Sequence, residues 1–279
     1  MSQLRNQMKS DLELKGYSPK TVRSYIKQVE GFASYFEKSP DKLGEDQIKK
    51  YLHHLITLKR SDSYINCAYS ALKFLYQVTL KRNWNSIRIP RTKNRKRLPE
   101  VLDTSEIKAL LNATLNLKHR VILMTTYAAG LRVSETAYLR VEDIDSRRMQ
   151  IRVQQGKGNK DRYTILSETN LTLLRRYWEE YRPNTWLFPG SMPNKAITTR
   201  TIQRVFENNK TKAGITKNVT VHSLRHSFAT HLLEAGTDIY YIQRLMGHSS
   251  PKTTSVYIHL KQENLLKIKS PLDCWDSND

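Results

Sequence analysis

Cysteine is nearly absent. Cys67 and Cys274 are the only two in 279 residues, and they stand far apart in the chain. With no CxxC pair there is neither zinc-site spacing nor a disulfide framework, so both thiols read as buried or incidental. No apolar run approaches the ~18 residues that signal a membrane span. The start, MSQLRNQMKSDL, lacks the apolar stretch of a signal peptide. The chain is therefore expected in the cytoplasm, with no membrane partner. No GxxxxGK[ST] phosphate loop occurs, and GKGNK at 156–160 is not one. Acidic residues are also scarce: 26 Asp+Glu against 47 Lys+Arg leave a formal charge of +21 and a pI near 9.9. Such an excess predicts a polyanionic partner, most simply a nucleic acid, held with an affinity that falls steeply with salt.

What is present is mainly helical. In residues 1–88, Ser18-Pro19 has the form of an N-cap followed by proline at the first helical position. Val22, Tyr25, Ile26, Val29, Phe32, Ala33 and Phe36 then recur at helical spacing. Ile48, Tyr51, Leu52 and Leu55 repeat the pattern, as do Ile65, Ala68, Leu72, Leu75 and Tyr76. Short turns carrying Pro40, Gly44 and Ser61 separate them, so a four-helix unit with a narrow apolar core is expected. Tyr17, Tyr25, Tyr64 and Tyr69 read as core or surface filler.

The helical pattern stops at RIPRTKNRKRLP, residues 88–99, which holds two prolines, no acids and six basic residues. Residues 89–99 read as the linker between two domains. Arg88, Arg91, Lys93, Arg95, Lys96 and Arg97 are candidates for contact with a phosphate backbone.

The second domain, 100–279, opens on a capping-box pattern, Asp103-x-x-Glu106. A helix is expected from about His119 to Ala129, ended by Gly130, with Arg132 in the first turn of the next. Met149 to Leu166 alternates on both sides of a Gly-Lys-Gly turn and reads as a β-hairpin with Lys157 at its tip. Helices follow over Glu168–Tyr181 and Thr199–Ala213. In the stretch from Val219 to His259, Thr220 is a plausible N-cap and Gly236 a stop. A second short helix from about Thr237 is closed by Gly247. The fold class is thus mainly α with a small β-hairpin or sheet.

His222 and Arg225, three residues apart, share one helix face. His248 follows a helix end, and Tyr257 stands nine residues beyond it. Attack on a phosphodiester builds negative charge on its non-bridging oxygens. Two arginines, Arg132 and Arg225, can clamp those oxygens through planar forks and stay protonated at any working pH. A tyrosine hydroxyl, with a pKa of about 10, is a weak nucleophile that needs its proton taken, a role for His222. The leaving alkoxide needs a proton donor, which Lys157 can be. His248 can hold the phosphate or the nucleophile. No carboxylate pair suggests a metal, so the arginines would stand in for one. Each residue alone has a blander reading, as surface, cap or turn. His222, His226 and His231 hint at a metal only until the third leaves the shared face.

The ordered set Arg132, Lys157, His222-x-x-Arg225, His248 and Tyr257 resembles that of the tyrosine recombinase (phage integrase) family. GLRVSE at 130–135, GKGNKDR at 156–162, HSLRHSFATHLL at 222–233, LMGHSS at 245–250 and TTSVYIHL at 253–260 carry the likeness. The resemblance covers the whole chain, with residues 1–88 similar to the core-binding domain and 100–279 to a mixed α/β catalytic domain. It implies cleavage of double-stranded DNA through a 3′-phosphotyrosine on Tyr257. Strand exchange through a Holliday junction in a homo-tetramer on the nucleoid follows, with no cofactor and no metal. It implies a C-terminal helix, Glu263 to Ile268, docking on a neighbouring subunit, and leaves room for a second recombinase or accessory protein. A Xer-like or mobile-element enzyme is the expected type. A non-catalytic DNA-binding protein and a type IB topoisomerase are the competing readings.

Overall fold

The computed structural model describes residues 2–84, 89–91, 99–154, 161–192, 194–248 and 254–255. The chain divides into two compact units, Met1–Arg97 and Leu98–Asp279. The described residues are mostly helical, with one small antiparallel sheet.

Among its described residues the first unit has four α-helices: α1 (Ser2–Leu14), α2 (Pro19–Phe36), α3 (Glu45–Thr57) and α4 (Asp62–Phe74), the last running on through a wider turn at Leu75–Thr79. Ser18 caps α2 by accepting from the Thr21 amide at 3.2 Å, and Pro19 takes the first helical position. The apolar stripe of α2 then points inward: Val22, Ile26, Phe32 and Ala33 are buried. Ile48, Leu55, Ile65, Ala68 and Leu72 meet it from α3 and α4, and Met8 and Leu12 from α1. Tyr76 anchors the loop after α2, donating to the carbonyls of Pro40 at 2.7 Å and Leu43 at 3.0 Å. Of the four tyrosines read as filler, Tyr69 is buried, while Tyr17 and Tyr64 are exposed.

In the second unit, α5 (Thr104–Ala113) begins at the expected capping box, with Asp103 accepting from the Glu106 amide and Glu106 from the Asp103 amide. The next helix, α6 (Leu117–Ala128), starts two residues before the expected His119. Asn116 explains the shift, since its side chain accepts from the His119 amide at 3.0 Å. A five-residue helix, α7 (Val133–Ala137), follows. The strands β1 (Ile144–Asp145), β2 (Gln150–Val153) and β3 (Arg162–Ile165) form the sheet in that order. The expected hairpin pairs Ile151 with Thr164 and Val153 with Arg162, and β1 adds an edge that two residues were too short to announce. Then come α8 (Glu168–Tyr181), α9 (Thr199–Lys212), α10 (Val221–Glu234) and α11 (Ile239–Met246). Helix α11 starts later than Thr237 because Asp238 is its cap, accepting from the Tyr240 amide at 2.7 Å. Val121, Ile122 and Leu123 put α6 at the centre of this unit's core, and Thr164 ties β3 to the end of α6 through the Ala129 carbonyl at 2.8 Å.

Candidate active site

Two chain reversals and one helix converge on one point. Helix α6 closes on Gly130, whose φ of +59° turns the backbone so that Arg132 becomes the N-cap of α7. Glu135, one turn on, accepts from the Arg132 amide at 2.7 Å and from its Nη1 at 2.6 Å. Helix α10 supplies the second arginine. Thr220 caps it, His222 is its second residue, and Arg225 falls on its inner side, 1% exposed among Leu224, Ser227 and Phe228. The guanidinium of Arg225 donates to the Gly130 carbonyl at 2.5 Å and to that of Met246, with Nη1 3.6 Å from Glu135 Oε2. Helix α11 ends at Gly247, which has a φ of +60°. The next residue, His248, donates its amide to Gln243 O at 3.1 Å, and its Nδ1 lies 2.9 Å from Thr254 Oγ1. Arg132 Nη2 reaches the Gly247 carbonyl at 3.4 Å, tying the first reversal to the second.

One carboxylate holds these cations together. Glu135 is 6% exposed and accepts from both Nη groups of Arg162, each at 2.8 Å, as well as from Arg132. Burial on its own would raise the Glu135 carboxyl, but the bonds and charges of Arg162 and Arg132 outweigh it and hold it down at about 2. The imidazoles move the other way. Burial, then the charges of Arg225, Arg132, Arg162 and His226, push His248 down to about 4. His222 is exposed at the mouth of the site and is also lowered, by desolvation and by Arg225 and Arg132, with Glu135 opposing. For an exposed ring that keeps its water, the two arginine charges carry that shift. The His222 ring and that of His226 stand nearly perpendicular, at 86°, with centroids 4.8 Å apart. The result is a cationic recess with neutral imidazoles at neutral pH, suited to bind an anion and to exchange protons beside it.

Of the residues chosen from sequence, Arg132, His222, Arg225 and His248 belong to this one recess. His222 and Arg225 share the turn but not the exposure, the histidine facing outward and the arginine buried. Lys157 and Tyr257 lie outside the described residues, as do Arg88, Lys93, Arg95, Lys96, Arg97 and the stretch 263–268. Arg91 is exposed in the first unit, where its Nε donates to Asn66 at 2.9 Å and its guanidinium stands 6.0 Å from the Tyr69 ring centroid. Sequence reasoning missed Glu135, Arg162 and Thr254, although all three stand inside strings it had singled out. Among the described residues, no three His, Cys, Asp or Glu side chains gather as a metal ion would require. No helix among them is long and apolar enough to cross a membrane.

Comparison with known proteins gives a consistent picture. Residues 100–264 match the family described as Phage integrase family, and residues 4–86 match Phage integrase, N-terminal SAM-like domain. A Sinorhizobium fredii protein named as an integrase/recombinase, y4qK, is 42% identical over 275 residues, 98% of this chain and 89% of its own. Tyrosine recombinase XerD of Staphylococcus epidermidis is 33% identical over 91% of this chain and 92% of its own. The crystal structure of a lambda integrase(75–356) dimer bound to a COC′ core site is similar in fold, with a TM-score of 0.77 over 92% of this chain and 94% of that one, at 18% identity.

Proposed function

Since the chain belongs to the phage integrase family and is a tyrosine site-specific recombinase, we propose that Tyr257 cuts double-stranded DNA to leave a 3′-phosphotyrosine. The Tyr257 Oη forms a bond to phosphorus while the 5′ oxygen leaves. Arg132 and Arg225 bind the non-bridging oxygens as their charge grows. His222 takes the tyrosine proton, Lys157 protonates the departing alkoxide, and His248 holds the phosphate through the nitrogen not turned to Thr254. Because the phosphotyrosine bond keeps the energy of the one it replaced, a 5′-hydroxyl from a partner duplex can reverse the step, and no cofactor or metal enters. Exchange then passes through a Holliday junction in a homo-tetramer, with 263–268 docking in trans.

Residues 1–88 serve as a DNA-binding domain, 89–99 as a linker whose basic residues meet the backbone, and 100–279 as the catalytic domain. Double-stranded DNA in the cytoplasm, on the nucleoid, is the partner. The observation that carries this reading is the recess itself. Two glycine turns and helix α10 bring Arg132, His248 and Arg225 together, and the arginine charges help to lower the His248 ring.

The test is a nicked suicide duplex, built on a sequence the protein selects from a randomised pool, incubated with chelator present. A covalent protein–DNA band on a denaturing gel is expected from the wild type and not from Tyr257→Phe. An adduct that survives in the variant would remove Tyr257 as nucleophile. Specific binding with no adduct from the wild type would favour a non-catalytic DNA-binding role.

A further inference from the structure

Arg162 opens β3, and its side chain is 10% exposed against 22% for Arg132. Three of its donors are turned onto protein: Nη1 and Nη2 onto the two oxygens of Glu135 at 2.8 Å each, and Nε onto the Leu245 carbonyl at 2.9 Å. Its stem lies against Gly247, where an added Cβ would stand 2.6 Å from Arg162 Cδ. One side chain from the hairpin thus braces the start of α7 and the end of α11, the two segments that carry Arg132 and His248.

The bidentate geometry matters for what Glu135 can do. A carboxylate accepts along two lone pairs on each oxygen, and a guanidinium fork that meets both oxygens fixes its plane. Freed from Arg162, the carboxylate could rotate toward Arg225, whose Nη1 is 3.6 Å away, and occupy donors that a phosphate would need. The cluster would also lose one of the three cations that leave it net positive around a single buried carboxylate.

We propose that Arg162 is a positioning residue for strand cleavage, holding the Glu135 plane and the α11 end so that Arg132, Arg225 and His248 stand ready for a phosphate. The inference rests on the recombinase chemistry above, and it acts through Glu135 and Leu245 rather than by touching DNA.

The test uses the full chain with Arg162→Gln and Arg162→Lys on the selected nicked duplex. It reads duplex affinity, adduct rate against pH, and the ring titration of His248 by NMR. Affinity within about threefold of wild type is expected, with an adduct rate about 10–100-fold lower. Lysine should not rescue the rate, because it keeps the charge but lacks the fork. The acid limb of the pH–rate profile should move upward as Glu135 loses the partner that keeps it ionised. In Arg162→Gln the His248 ring should titrate higher, having lost one of its cationic neighbours. A merely structural loss would lower rate and affinity together and leave the acid limb in place, which would overturn the proposal. If the wild type formed no adduct, the recombination chemistry would fail on its own. The His248 titration would still decide the Arg162 role, an unmoved midpoint in Arg162→Gln counting against it.

Discussion

The ring of Phe228 fills the space where residue 130 would carry a side chain: a Cβ on Gly130 would fall 2.3 Å from Phe228 Cδ1. Gly130 also has a positive φ, and its carbonyl receives the Arg225 guanidinium. A methyl group at 130 would therefore press on α10 within a turn of the arginine that α10 supplies. Gly130→Ala should lose about 2–4 kcal/mol, from the left-handed backbone and from overpacking. Urea midpoints measure that loss, and single-turnover adduct formation at a temperature where the variant is folded should fall further. A variant as stable and as fast as wild type would show that Phe228 can swing aside at no cost.

Glu135→Gln separates charge from shape at the centre of the recess. The native carboxyl sits at about 2, held there against burial by Arg162 and Arg132. Set against an ordinary glutamate near ~4.3, that is worth about 3 kcal/mol of stability. The folded value is the lower one, so this contribution is complete above pH ~4.3 and disappears as the pH falls toward 2. Denaturant titrations at pH 7, 5 and 3 should show the gap between wild type and variant holding from pH 7 to 5 and narrowing at pH 3. A gap of constant size would mean that the glutamine loses packing rather than charge.

Local chemistry was legible in the sequence, and partners distant in the chain were not. Ser18 before Pro19, Asp103 with Glu106, and Thr220 all announce helix starts by contacts within a few residues, and each is a cap in the structure. Asn116 is equally local, and its cap sets the start of α6 two residues before His119. Strand β1 offered only two residues, too few for an alternation to show. The four described site residues stood out because arginine and histidine are the side chains that phosphate chemistry requires. Glu135 accepts from the Arg132 amide within one turn, and Arg162 opens a strand. Their bond to each other and the reach of Arg162 to Leu245 join separate elements, so no spacing rule exposes them.

Lysine substitution should distinguish the two clamp arginines by burial. Arg225 is 1% exposed and divides its fork between the carbonyls of Gly130 and Met246. A single ammonium cannot serve both from one position. Arg225→Lys should lose about 1–3 kcal/mol of stability, whereas Arg132→Lys, in a more open position, should stay close to wild type. Both should retain duplex affinity within a few-fold in a gel-shift assay and form adduct at least ~100-fold more slowly. Near-normal cleavage by Arg132→Lys would mean that a point charge at that position suffices.

His248 should be a neutral ring at pH 7 whose charge state reports on the clamp. Burial comes first among the causes that lower it to about 4, followed by Arg225, Arg132, Arg162 and His226. His226 is lowered to about 4 as well, by burial, His222 and Arg225. With folded values below the ordinary ~6.5, the folded protein binds fewer protons than the unfolded chain. Stability is therefore greatest above pH ~6.5 and erodes as the pH falls toward 4. An NMR titration of the two rings in the free protein should give midpoints near 4. Adding the selected duplex places a phosphate between the arginines and offsets the charges that depress His248, so its midpoint should rise toward the ordinary value. His226, lowered more by burial and its histidine neighbour, should rise less. If the duplex leaves the His248 midpoint where it was in the free protein, then Arg132 and Arg225 do not hold the phosphate beside that ring.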